Sequence, residues 1–506
     1  MEYSTHSQDS RRGDFLALGI IATAVAFLHI ATNGRYGFHR DELQVLDDAR
    51  HLDWGFIVYP PMTPFIERVG LELFGVSLVG LRMFSVLAQA AALIITGLMA
   101  RELGARRLAI VVAALAVAVS PLPLFEGTEF QYSTFDYLWF VLIAYFLIRL
   151  LKSDDPRWWL GVGAAIGLGM MTKYTMGFFV VGIVGGVLFT PARRFLKSPW
   201  LWCGAAVAVL IFLPNLLWQI RHGFESLDFL RYIHARDVSR GRAHGFVRDQ
   251  FMLSTNLLVS PLWLAGLFYF LAAPDGKRYR LMGWLYVIPF ALFFLAKGRG
   301  YYLAPAYPTL FAAGSVLWER WVASISVVWS RVVQGVTFAA LAVGGALACA
   351  FIVPINPHIS ANNFAFRNNG DLREEIGFTD LVAAVAQIRD SLPAEERASF
   401  GILTGNYGET GAINLYGPAY GLPAALSGTN TAWFRGYGNP PPKTLIVVGL
   451  SREYVESNFN SCRFAGHNGN PYGIKNEESE DHPDIYVCGS PRQPWPQFWV
   501  DFQAYG

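Results

Sequence analysis

Residues 14–42 read DFLALGIIATAVAFLHIATNGRYGFHRDE. The stretch Phe15–Ile30 carries no Asp, Glu, Lys or Arg, and four ionisable side chains, His39-Arg40-Asp41-Glu42, follow it closely. An apolar run of this kind approaches the roughly 20 residues that cross a bilayer as a helix. It lacks a small-residue cleavage site, so it reads as a retained anchor and not a leader. Charge beside a membrane face is ordinary. Two adjacent acids there, followed by Pro60-Pro61 and a short apolar segment, point to chemistry at the lipid–water boundary.

Ten further apolar runs lie near 77–99, 107–124, 136–151, 158–171, 175–190, 199–218, 253–273, 281–296, 302–318 and 333–353. Together they predict about 11 transmembrane helices; those around 136–190 are short and are expected to tilt or to be partly re-entrant. Composition agrees: 53% of residues are hydrophobic and 15% charged, against roughly 25% charged in soluble domains. The net charge of +2 hides a split, because residues 355–506 hold 16 acids and 10 Lys/Arg while residues 1–354 carry a compensating excess of base. The expected fold is a polytopic α-helical membrane domain over 1–354 with a C-terminal soluble α/β domain over 355–506.

Short loops set the orientation. Arg101, Arg106, Arg107, Lys152, Arg157, Arg193, Arg194, Lys197, Lys277, Arg278, Arg280, Arg320 and Arg331 share one face if eleven spans alternate. Positive loops stay inside, so that face and the N-terminus are cytoplasmic. The outer face then holds loop 33–76, segment 125–135, Lys173, loop 219–252, segment 297–301 and the C-terminal domain. Loop 219–252 is rich in Arg and His, but long loops cross regardless of charge. It reads as a solvated surface near anionic headgroups or as a flap over a phosphate, and its outer location excludes nucleic acid. Cys462 and Cys488 are able to pair if the tail faces an oxidising compartment; Cys203 and Cys349 lie in apolar spans and read as packing.

Leu43, Leu46, Ala49 and Leu52 recur at helical spacing and predict an amphipathic helix on the membrane surface. Pro64 opens a second short helix to Phe74. In the tail, 381–388 reads as helix, 400–403 and 444–449 as strands, and 486–488 as a last edge strand. Gly405 to Gly411 reads as a structural strand-to-helix turn.

A resemblance gathers these pieces. Tyr36-Gly37-Phe38-His39-Arg40-Asp41-Glu42, Asp47-Asp48-Ala49-Arg50 and Tyr59-Pro60-Pro61-Met62-Thr63-Pro64 resemble the opening of the bacterial protein-mannosyltransferase-like family. That family includes aminoarabinose transferases of lipid A and Rgt-type galacturonosyltransferases, and shares the GT-C fold. Leu73-Phe74-Gly75, Leu81-Arg82, Thr172-Lys173-Tyr174-Thr175 and Lys297 to Pro305 extend the likeness over roughly 15–320. It implies an inverting glycosyltransferase of the inner (plasma) membrane. The donor would be a sugar on a polyprenyl-phosphate lipid, and the acceptor an extracytoplasmic lipid, glycan or protein. No cofactor and no metal are expected.

The resemblance also implies roles. Asp41 matches the family's catalytic acid and would take the acceptor's hydroxyl proton; its other reading is the N-cap of helix 43–52. Glu42 orients the acceptor or is a solvated first-turn acid. Arg40 pairs with Asp41 or holds phosphate, Tyr59 falls among the substrate-binding positions, and His39 reads as a surface residue. Lys173, Lys297 and Arg299 share the outer face with Asp41, suited to a leaving phosphate or to snorkelling from helix ends. Tyr301 and Tyr302 donate hydroxyls there or anchor at the interface. Asp136, near Glu126 and Glu129, supports the site or N-caps the fourth span. A transporter or lipid flippase is the rival reading, disfavoured because no internal repeat is evident and the acids gather at one face instead of the midplane. A non-catalytic scaffold is a third.

Overall fold

The computed structural model describes residues 2–242, 244–356, 358–360 and 362–506, with side chains from residue 12 onward. All of the expected apolar runs fall on helices. Among the described residues, five helices are long and apolar enough to cross a membrane: Arg12–Thr32, Leu78–Glu102, Tyr132–Ser153, Pro199–Arg221 and Val327–Ile352. Two bent pairs raise this to seven at most: Met176–Phe189 with Pro191–Lys197, and Phe246–Met252 with Leu257–Leu271. Full-length spans therefore fall short of the expected eleven. The shortfall has a local cause. Arg107–Ala118, Trp158–Met170 and Arg280–Leu295 have only 12, 13 and 16 residues, about 18–24 Å of helix, and account for three of the four missing spans.

The chain forms two compact units. The first is Met1–Asn33, Arg82–Gly223 and His234–Val353; the second is Gly34–Leu81, Phe224–Ile233 and Pro354–Gly506. A cut at residue 354 therefore misplaces the first long loop and part of the Arg-rich one. The reason is a shared core: Phe38, Leu43, Leu46 and Leu81 are buried with Leu381, Val385, Ile413 and Ile446 of the tail.

In the first unit, helices approach closely where side chains are absent. A Cβ on Gly163 would lie 1.9 Å from the Gly204 carbonyl oxygen, and one on Gly204 would lie 2.2 Å from that of Trp159. Small residues at such crossings are how helices associate without a hydrophobic drive from water.

The second unit is built on a five-stranded sheet of order β2-β1-β3-β5-β4, with β1 Phe400–Thr404, β2 Leu426–Ser427, β3 Thr444–Val448, β4 Arg463–His467 and β5 Asp484–Gly489. β1 runs parallel to β2 and β3, and β5 antiparallel to β3 and β4. Alternate residues serve opposite faces: Ile402, Ile446, Val448 and Ile485 on one, Leu403, Leu445, Val447 and Tyr486 on the other. The segment expected as a last edge strand is β5, an interior strand. It is covered by β4, which reads poorly as a strand because its Arg463, Phe464 and His467 are exposed. Cys462 and Cys488 form a disulfide.

The helix expected on the membrane surface runs Arg40–Arg50 and is buried on nearly every side, from Leu43 and Ala49 to Asp47 and Asp48. It packs on helix Tyr407–Tyr416. Gly411 makes that approach possible, since a Cβ there would sit 2.5 Å from the Leu43 carbonyl oxygen. Gly411→Ala is expected to cost about 1–3 kcal/mol by forcing the helices apart. Thermal unfolding of the full chain in detergent checks this; an unchanged midpoint would refute it.

Candidate active site

Lys173 stands in a break between two apolar helices, Trp158–Met170 and Met176–Phe189. Its neighbours pin the break. Trp139 Nε1 donates to Thr172 Oγ1 (3.0 Å), the Tyr174 hydroxyl donates to Asn215 Oδ1 (3.2 Å), and Gln219 Nε2 donates to the Tyr174 oxygen (2.7 Å). The Lys173 ammonium then lies over three tyrosine rings, 5.0 Å from the centre of Tyr132, 5.1 Å from Tyr301 and 4.8 Å from Tyr302. Each ring face attracts a cation by about 0.5–2 kcal/mol.

Two carboxylates act on the same lysine, Glu126 and Asp136. Glu126 Oε2 accepts from the Ser133 and Thr134 hydroxyls at 3.0 and 2.6 Å. Burial raises its carboxyl above the ordinary range, while Thr134 and Lys173 oppose the rise. Asp136 is not an N-cap. Gln131 occupies the N-cap position of helix Tyr132–Ser153 without a side-chain capping bond, and Asp136 lies one turn inside it, bonded to Thr175.

The tyrosines come from a strap, Arg299 to Tyr302, held from beneath. Gln250 Nε2 donates to the Gly300 carbonyl (2.9 Å), and Gln250 Oε1 accepts from the Tyr307 hydroxyl (2.9 Å). Arg299 donates from Nε and Nη2 to Asp237 at 2.6 and 2.9 Å, and Nη1 reaches the Tyr301 oxygen at 3.4 Å. Lys297 is exposed on a cleft of about 530 Å³ lined also by His234, Val238 and Leu295.

The second unit holds the other group. His39, expected at the surface, is buried and is the N-cap of helix Arg40–Arg50. Its Nδ1 accepts from the Asp41 N–H (3.1 Å), and Glu42 Oε2 accepts from the His39 N–H (2.8 Å), which closes a capping box. Asp41 is thus freed from capping. Its Oδ1 accepts from the Tyr407 hydroxyl at 2.8 Å. Arg40 is buried, pairs with Glu477 and with Glu478 (3.1 Å), and lies 4.6 Å above the Tyr407 ring. One turn on, Arg435 bridges Asp47 and Asp48. Tyr59 donates to Asp48 Oδ2 (2.8 Å), and Asn414 Nδ2 donates to Asp47 Oδ1 (2.9 Å). Among the described residues no group of three His, Cys, Asp or Glu is arranged to hold a metal ion.

Residues 58–218 match the family described as dolichyl-phosphate-mannose-protein mannosyltransferase. The lipid A galacturonosyltransferase RgtD of Rhizobium johnstonii is 26% identical over 61% of this chain and 64% of its own length. The lipopolysaccharide core galacturonosyltransferase RgtB of the same organism is 26% identical over 41% of this chain and 42% of its own length. The chain thus spans less than two thirds of either relative. ArnT from Cupriavidus metallidurans, solved bound to undecaprenyl phosphate, superposes with a TM-score of 0.57 at 15% identity, covering 94% of this chain and 98% of ArnT. An oligosaccharyltransferase from Archaeoglobus fulgidus, solved with Zn and sulfate, gives 0.56 at 13% identity, covering 85% of this chain and 68% of its own.

Residues 58–218 are thus similar to the protein-mannosyltransferase family, and the chain shares the GT-C fold of ArnT. It is a polytopic membrane protein with the fold of that family.

Within this GT-C chain, Lys173, Tyr301, Tyr302, Arg299 and Asp136 lie in the first unit and meet in one neighbourhood. Asp41, Glu42, Arg40 and Tyr59 lie in the second. Sequence reasoning missed Tyr132, Asp237, Gln250, Tyr407 and Arg435. Tyr132 carried the one usable hint, as the single tyrosine of segment 125–135.

Asp48 gives a pH signature. Burial raises its carboxyl to about 7, against the pull of Arg435. A carboxyl raised in the fold binds its proton more tightly than in the unfolded chain. That stabilisation is complete below the unfolded value of 3.8 and fades as pH rises to about 7. Asp48→Asn is expected to flatten this decline. Thermal midpoints measured across that range check it, and an equal slope in both proteins would contradict it.

Proposed function

We propose that this chain is an inverting glycosyltransferase that moves a sugar from a polyprenyl-phosphate-linked donor to an extracytoplasmic lipid, glycan or protein. The observation that carries the reading is Lys173, a cation set in a break between apolar helices and covered by ring faces. Such a lysine keeps its capacity for an anion such as a lipid phosphate. The named ligands of fold neighbours support it: ArnT was solved with undecaprenyl phosphate, and an Archaeoglobus fulgidus oligosaccharyltransferase with a dolichol-phosphate (TM-score 0.51, 12% identity).

The reaction needs three things. The acceptor hydroxyl attacks the anomeric carbon opposite the phosphate, forming the new C–O bond with inversion. Asp41 takes the hydroxyl proton as that bond forms. The sugar–phosphate C–O bond breaks, and its electron pair leaves on the phosphate oxygen, stabilised by Lys173 with the Tyr301 and Tyr302 hydroxyls and Arg299 nearby. Lys297, at its open cleft, attracts the donor headgroup. Asp136 keeps the field at Lys173 balanced. Glu42 and Arg40 serve Asp41 indirectly, by closing the cap and by clamping Tyr407. Tyr59 holds Asp48 in the same helix. No metal or cofactor enters this scheme.

We place the protein in the inner (plasma) membrane with the N-terminus cytoplasmic and residues 355–506 outside. The Cys462–Cys488 disulfide supports that side for the tail, because disulfides persist in oxidising compartments.

Asp41→Asn is expected to lower kcat by about 10²–10⁴-fold while leaving undecaprenyl phosphate affinity intact. Lys173→Ala is expected to weaken that affinity. Mass spectrometry of envelope glycolipids with and without the chain would name the missing sugar and its carrier. Full transfer by Asp41→Asn would remove the base assignment; an unchanged envelope profile would remove the activity.

A further inference from the structure

The Nε and Nη2 edge of Arg299 is the edge with which a guanidinium grips a phosphate or carboxylate with two parallel bonds. It is already occupied. Asp237, 5% exposed, takes both donors at 2.6 and 2.9 Å. The same Asp237 Oδ1 also faces Arg242 Nη1 at 3.5 Å. Arg242 is kept there by its own backbone, whose N–H donates to the Asp237 carbonyl (2.9 Å). The carboxylate therefore sits between two arginines, one facing the strap beside Lys173 and one more exposed to water.

We propose that Asp237 is a built-in competitor for the donor phosphate: it holds Arg299 when the site is empty, yields it to an incoming lipid phosphate, and takes it back to help expel the polyprenyl phosphate product. This rests on the functional reading above, in which the phosphate binds beside Lys173. Two features make the exchange cheap. Asp237 is not left as a buried unpaired charge when Arg299 turns away, because Arg242 is waiting for it; a stranded carboxylate would be strongly destabilising. Arg299 keeps its third contact, Nη1 to Tyr301, so its stem need not move for a phosphate to replace the carboxylate. Asp237 thus acts through Arg299 and is a positioning residue. A plain structural strut and a competitor differ in sign, since losing a strut weakens phosphate binding and losing a competitor strengthens it.

The test is equilibrium binding and dissociation of undecaprenyl phosphate with the full chain in nanodiscs. Asp237→Asn is expected to tighten binding by about 5-fold or more and to slow dissociation. In an Arg299→Ala background the same substitution is expected to gain nothing. Arg242→Gln, which removes the second partner of Asp237, is expected to weaken binding by fastening Asp237 to Arg299. This second variant decides the matter if Asp237→Asn does not fold. Unchanged or weaker binding by a folded Asp237→Asn, a gain that survives Arg299→Ala, or unchanged binding by Arg242→Gln would overturn the proposal. Failure of the unaltered protein to bind undecaprenyl phosphate would instead overturn the functional reading on which it stands.

Discussion

Charge removed from water has to be answered by something close by, and the way Lys173 is answered shapes the first unit. Its ammonium is met by the faces of Tyr132, Tyr301 and Tyr302, with Glu126 and Asp136 acting on it electrostatically. A direct ion pair at 4 Å is worth about 4 kcal/mol at an effective dielectric of 20; a ring face gives about 0.5–2. A lysine held by rings is therefore stable enough to stay in an apolar unit and weakly enough bound to accept an anion. To bring the rings there, the helices must break at Thr172–Thr175, and the Arg299–Tyr302 strap must be fastened by Gln250. The helix break and the fastened strap both serve one half-buried cation.

Two other cations, Arg40 and Arg435, are answered differently. Arg40 is met by Glu477 and Glu478, and Arg435 by Asp47 and Asp48. Those guanidiniums are neutralised and tie helix Arg40–Arg50 into the core of the second unit. Their work is to fix the backbone that carries Asp41, whose carboxylate accepts from Tyr407 and from no residue of its own cap. Arg299 stands between the two cases, paired with a carboxylate that has a second arginine within reach.

What could be read along the chain was what local rules govern. Apolar runs mark helices because each run satisfies its own backbone, so every expected run is helical. The shortness of the runs on either side of Thr172–Thr175 was legible too, but the reason for that interruption is visible only in the folded unit. Leu43, Leu46 and Ala49 were legible as an apolar helix face, but their partner was not membrane. Gly411, 368 residues away from Leu43, decides that, and no local signal announces it. His39 was missed as a cap because histidine is seldom used so. The Lys173, Arg299, Tyr301 and Tyr302 neighbourhood was partly legible, since alternation of spans puts all four on one face. Asp237 was not, because an acid flanked by Arg236 and Arg240 reads as solvated surface until its partner is known.

The central claim is that a lipid phosphate is received at Lys173 beneath the tyrosine strap. A polyprenyl phosphate carrying a photoreactive group next to the phosphate, irradiated with the full chain in nanodiscs and mapped by mass spectrometry, tests it most directly. Adducts on Tyr132, Tyr301 or Tyr302 that disappear with excess undecaprenyl phosphate are the result this account requires. Competable adducts confined to helices distant from that strap would contradict it.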